Sequence, residues 1–187
     1  INVRNNVSFR NPFVGLKKLL SEEPQLDAVI VPGDLGHQAN VMAANAVWAE
    51  IERLRIELQI PLLLATAGNH DVDSRATYSY NSYNTLRCLV PAFPTTQMVE
   101  GDYWNKHFCV FNASNYRVLL LNSCGFHGMA MPIERNHGRV SDDTLDSLET
   151  YLNAADEKPI NILLTHHHVA HDARLQEFDT ELTIGSA

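Results

Sequence analysis

Gly68-Asn69-His70-Asp71 is the stretch of this chain best equipped for chemistry. An amide, an imidazole and a carboxylate follow a glycine just after the apolar run Leu62-Leu63-Leu64-Ala65, so they sit where a buried strand opens into a loop. Asn offers a metal a neutral oxygen, His exchanges a proton near neutral pH, and Asp can hold that His in one tautomer. Two more polar groups stand at comparable places: Gly33-Asp34 after Ala28-Val29-Ile30-Val31, and His166-His167-His168 after the run from Ile160 to Leu164. Each alone has a plainer reading, as an ordinary turn, a cap or an exposed patch. Their joint occurrence after three apolar strands favours one metal-assisted site.

The segments that must position these groups alternate in character. Phe13 to Leu20 has helical spacing and ends near Pro24. Ala28 to Val31 is a short buried strand, and Asn40 to Gln59 is an amphipathic helix with Val41, Ala44, Val47, Trp48, Ile51, Leu54 and Leu58 on one face. With the Leu62–Ala65 strand this gives a β-loop-α-β order. It predicts parallel strands whose carboxyl ends line a crevice. From Val72 to Trp104, Tyr78, Tyr80 and Tyr83 lie among Ser, Asn and Thr, the texture of a long insertion or a substrate-facing loop. Phe108–Phe111 and Arg117–Leu121 flank a hairpin turn. After the irregular stretch Gly125–Gly138, Ser141 caps a helix whose Leu145, Leu148 and Leu152 form a buried stripe.

Composition narrows the function classes. A chain of 187 residues with 45% apolar and 19% charged residues is globular and fits a single domain over 1–187. Fourteen Lys and Arg against 22 Asp and Glu give a net charge of −8, which disfavours nucleic acid or an anionic membrane as the main partner. A phosphate substrate remains open, because bound cations reverse the local sign. Cys88, Cys109 and Cys124, odd in number and without a Cys-x-x-Cys, read as three reduced and largely buried thiols of a cytoplasmic protein. No run has transmembrane length.

At this point Gly33-Asp34, Gly68-Asn69-His70-Asp71 and Leu164-Thr165-His166-His167 resemble the second, third and fourth motifs of the calcineurin-like metallophosphoesterases. The resemblance spans about Ala28 to His171 and is most specific in the Gly-Asn-His-Asp element. It implies an α/β fold, the four-layer α/β/β/α sandwich of that family, with two divalent ions at the strand ends. Mn, Fe and Zn all suit imidazole, amide and carboxylate donors. It further implies hydrolysis of a phosphomonoester or phosphodiester by a metal-bound hydroxide. Carried over residue by residue, Asp34 resembles the carboxylate bridging both ions, with Asn69 and His166 as ligands of the second. His70 resembles the group that contacts the phosphate and protonates the leaving oxygen, with Asp71 orienting its ring. Two like-charged ions in proximity require an anionic bridge, which suits Asp34.

Several alternatives stay open at this level. A one-residue slip would make His167 the ligand in place of His166. His37, His107, His127, His137 and His171 default to surface or hydrogen-bonded histidines, with His37, three residues beyond Asp34, nearest the site. Arg139 could reach a phosphate, although a solvated side chain is the simpler reading. The family's first Asp-x-His motif and its last Gly-His-x-His motif have no counterpart here. The expectation is therefore a central portion of a longer domain, truncated at both ends, that binds metal weakly and turns over little. A degenerate domain acting as a binding module is the alternative, and a nuclease a further one. The partner expected is a small-molecule or nucleotide phosphoester, with the Tyr78–Tyr83 segment either stacking a base or half-buried.

Overall fold

The computed structural model describes residues 12–22, 25–74, 77–78, 82–127, 137–168 and 183–184. Helix α1 (Pro12–Leu20) lies against the outside and buries no residue fully. Its Lys17 reaches Glu57 at 2.5 Å. Strands β1 (Ala28–Val31) and β2 (Leu62–Ala65) are too short and apolar to stand alone. The helix between them, α2 (Val41–Glu57), returns the chain so that they pair in parallel, Ala28 opposite Leu62 and Val31 opposite Ala65. Asn40 caps α2, its Oδ1 accepting from the Ala43 N–H at 2.9 Å. The helix buries Ala44, Trp48, Ile51 and Leu54, but Val41 of the expected stripe is 53% exposed. A helical stripe records a shared azimuth, not how far along the axis its partner extends.

A second crossover builds the larger sheet. Its order is β3 (Glu100–Asp102), β4 (Phe108–Asn112), β5 (Tyr116–Leu121), β7 (Ile160–Leu164). The β4–β5 hairpin is antiparallel, closed by Ala113 N–H to the Tyr116 carbonyl. Helix α4 (Asp142–Ala154), capped by Ser141, brings β7 parallel onto β5, with Leu120 opposite Leu164. In a separate two-stranded sheet β6 (Gly138–Arg139) pairs in parallel with β8 (Thr183–Ile184).

Alternation along β4 and β5 feeds two clusters. Cys109, Val118 and Leu120 join Val31, Leu64 and Trp48 of α2 in the main core. Phe108, Val110, Leu119 and Leu121 pack on the other face with Leu148 and Tyr151 of α4. The layers are α2, the β1–β2 sheet, the larger sheet and α4, the α/β/β/α arrangement expected.

Three expectations need correction. The segment from Val72 to Trp104 is not a loop insertion. It contains α3 (Ser82–Arg87), and Leu86, Leu89, Phe93 and Tyr103 belong to the main core. Its backbone also serves the scaffold, the Pro94 carbonyl accepting from Ala65 N–H and that of Pro91 from Trp48 Nε1–H. Of the α4 stripe, Leu148 packs against the core, whereas Leu145 (41%) and Leu152 (39%) are largely open. Of the thiols, Cys109 and Cys124 are buried and Cys88 is exposed.

Candidate metal and phosphate site

Parallel pairing in register places the ends of β1 and β2 side by side, and the loops that leave them touch. Gly33 has φ +99°, and a Cβ on it would lie 2.5 Å from Gly68 N. A Cβ on Gly68 would lie 2.1 Å from Asp34 Oδ1 and 2.3 Å from Asp34 N. Both glycines are therefore needed for the two motifs to meet. The first loop is also strained: Asp34 (φ 59°), Gln38 (57°) and Ala39 (50°) take left-handed backbone, at a cost on the order of 1–3 kcal/mol each.

Hydrogen bonds between the loops offset that strain. Asp71 is 3% exposed, and its carboxylate accepts from the backbone N–H groups of Asp34 (2.8 Å), Gly36 (3.2 Å) and Gly68 (2.9 Å). In return Asp34 Oδ1 accepts from His70 N–H at 3.1 Å, and the His70 carbonyl from Ala39 N–H at 2.8 Å. Burial pushes the Asp71 carboxyl up to about 6, helped by the Asp34 charge and opposed by the amides.

Asp71 thus fastens the loops together through backbone amides. The ring of His70 meets His37 instead, Nδ1 to Nδ1 at 3.0 Å with ring centroids 4.7 Å apart. His37 is the remaining histidine that the sequence placed nearest the site.

The histidine triplet divides by direction. His166 reaches back from the end of β7 to the first crossover. Its Nδ1 lies 2.8 Å from the Pro32 carbonyl and its Nε2 lies 3.6 Å from Asp34 Oδ1. A carbonyl can only accept, so Nδ1 carries a proton, and in the neutral ring the Nε2 lone pair faces the Asp34 carboxylate. His167 turns inward and is 2% exposed. Its Nδ1 lies 2.8 Å from Ser123 Oγ, and a Cβ on Gly138 would come within 2.7 Å of its ring. Burial, reinforced by the neighbouring histidines, pushes His167 down to about 3 and keeps it neutral. His168 is exposed.

These donors fit one edge of a cation site. A carboxylate oxygen and an imidazole lone pair 3.6 Å apart are spaced as two ligands of one ion roughly 2.0–2.2 Å from each, and the second ring nitrogen is held by a backbone carbonyl as ligating histidines require. Asn69 precedes the residue whose amide binds Asp34. Among the described residues no three His, Cys, Asp or Glu side chains gather as a metal cluster.

Residues distant in sequence support this end of the molecule. Tyr103, fully buried with its phenol pushed well up by desolvation, accepts from Ala67 N–H at 2.8 Å and bonds Thr66 Oγ1 at 2.9 Å. Nothing local marks it, since its partners lie 36 and 37 residues away. Of the tyrosine segment, Tyr78 is 56% exposed and its Oη accepts from Gln38 Nε2–H at 2.8 Å. Tyr83 is half-buried and donates to the Cys124 carbonyl. Arg139 lies over the Phe126 ring, its guanidinium carbon 4.6 Å from the centroid. Tyr80 and His171 lie outside the described residues. No helix among the described residues is long and apolar enough to cross a membrane.

A family model described as calcineurin-like phosphoesterase matches residues 10–183. No curated protein matches the chain.

Proposed function

The chain belongs to the calcineurin-like phosphoesterases, and from that premise we propose that it hydrolyses phosphate mono- or diesters with two divalent cations, of the Mn, Fe or Zn kind, at the ends of β1, β2 and β7. Asp34 is the bridging carboxylate, and Asn69 and His166 are ligands of one ion. The ions, when bound, would supply Lewis acidity and a water acidified to near neutral pH. His70 faces the phosphate and gives a proton to the leaving oxygen, while Asp71 keeps the loops closed and the Asp34 carboxylate in place. The observation that carries this reading is the Asp34–His166 pair, Nε2 lying 3.6 Å from a carboxylate oxygen while Nδ1 is held by the Pro32 carbonyl. A cation between the two groups would use both as donors.

Metal content by mass spectrometry and hydrolysis of a bis-nitrophenyl phosphodiester, measured on the natural-length protein, test the proposal. About two ions per chain, with hydrolysis lost in His70→Ala and Asn69→Ala, are expected. Absence of stoichiometric metal and of hydrolysis after Mn, Zn and Fe reconstitution would refute it and favour a binding module.

A further inference from the structure

The amino-terminal ends of β5 and β7 hold a second polar feature, at the opposite end of β7 from His166. Arg117 of β5 stands opposite Asn161 in the β5–β7 ladder. Although charged, it is only 3% exposed. Its guanidinium donates from Nη2 to the Asp156 carbonyl just beyond α4, and Cζ lies 5.9 Å from the Tyr151 ring centroid. Nε–H is buried without an acceptor. Among the described residues no carboxylate pairs with Arg117, and its acceptor is that one neutral carbonyl. A permanently charged group held out of water without a counter-ion is costly. One carbonyl and one ring face offset only part of that cost.

Arg117 also lines a cavity of about 440 Å³ between the sheet and the C-terminal end of α4. That volume suits a small molecule. Leu119 and Leu152 give it apolar walls. Lys158 contributes a second cation, whose ammonium lies 3.4 Å from the Ser114 carbonyl and pairs with no carboxylate among the described residues. The two acidic residues at the cavity, Asp156 and Glu157, are exposed, so water and salt screen them.

We propose that this cavity binds a small carboxylic acid with an apolar tail, its carboxylate paired with the Arg117 guanidinium and its tail on Leu119 and Leu152. A planar carboxylate matches the fork of donors on a guanidinium, and the charge-assisted bonds are strongest where water is excluded. One negative charge also suits the cavity better than the double charge of a phosphate, because Asp156 and Glu157 repel the second. The ligand would supply the counter-ion that the fold leaves out. This site does not depend on the phosphoesterase reading.

The probe is 3-phenylpropionate, titrated into the natural-length protein while ¹H–¹⁵N spectra follow the backbone amides and the Arg117 Nε–H. Saturable shifts at Arg117, Leu119 and Leu152 are expected. The uncharged 3-phenylpropanamide and inorganic phosphate should each bind at least about tenfold more weakly. Arg117→Met keeps the apolar stem and should weaken 3-phenylpropionate about tenfold or more. Leu152→Trp provides the independent check should Arg117→Met fail to fold. It changes an exposed helix position, obstructs the cavity and leaves Arg117 in place, so the shifts should vanish while the circular dichroism is unchanged.

Absence of a saturable shift at Arg117 in the parent overturns the proposal. So does equal affinity for acid and amide, phosphate binding as tightly as the acid, or full binding in either variant. None of these readouts uses hydrolysis, so a failure of the phosphoesterase reading leaves them intact.

Discussion

The molecule contains two β-α-β crossovers, and they secure their strand ends in different ways. In β1–α2–β2 the loops are fastened to each other. Gly33 and Gly68 sit in contact, and one buried carboxylate, Asp71, takes three amides from both sides. In β5–α4–β7 the strand is held by its ladder to β5, while Ile160 (51%), Ile162 (37%) and Leu163 (45%) stay open. Only at its end does β7 send His166 across to the first crossover and His167 into the interior. Where two loops must converge to within hydrogen-bond distance, polar fastening and missing Cβ atoms set the geometry. Where a strand only has to carry a side chain to its place, backbone pairing suffices and apolar cover is optional.

The sharpest way to break the contrast is at the loop contact. Gly68→Ala puts a Cβ into the Asp34 carboxylate and should cost about 3 kcal/mol in urea unfolding, with Asp34 displaced from His166. A midpoint shift worth less than about 1 kcal/mol would show that the loops separate easily and that the contact does not organise the site. Next in size, Asp71→Ala leaves three amides without their acceptor and should destabilise by about 2 kcal/mol, with Asp71→Asn retaining one carbonyl acceptor and losing less. Equal losses in the two variants would count against the clasp.

Adjacent histidines sharpen the comparison further. His167→Ala empties a buried position and should lower stability by about 1–3 kcal/mol while metal is retained. His166→Ala should change stability by less than about 0.5 kcal/mol and abolish metal retention, measured by dialysis and mass spectrometry. The reverse pattern would make His167 the ligand. The smallest effect belongs to the open face: Leu163→Thr keeps strand propensity and should shift the unfolding midpoint by less than about 0.5 kcal/mol. A loss several times larger would mean that this face is covered in solution.

Much of the fold was legible because its signals are local. The apolar tetrads of β1 and β2, the Ser141 cap, and the hairpin between β4 and β5 all lie where the sequence placed them. The segment around α3 was misread because Leu86, Leu89 and Phe93, although at helical spacing, run into Pro91 and Pro94, and the tyrosines before them lie among polar residues. Their burial comes from partners in α2 and the sheets, which no local window contains. The α4 stripe failed for the converse reason: periodicity was present, but the partner covers only Leu148 and its neighbours.

At the site the same division holds. The sequence by itself determined that Asp34, Asn69, His70, Asp71 and His166 stand at strand ends, because apolar runs, glycines and turn residues act over a few positions. Only the tertiary structure decided what each side chain meets. Asp71 turned to amides up to 37 residues away, His70 to a ring 33 residues back, and His166 to a carbonyl 134 residues earlier. Side-chain direction at a strand end is set by whichever partner is close in space, and closeness across such separations exists only once both crossovers have folded.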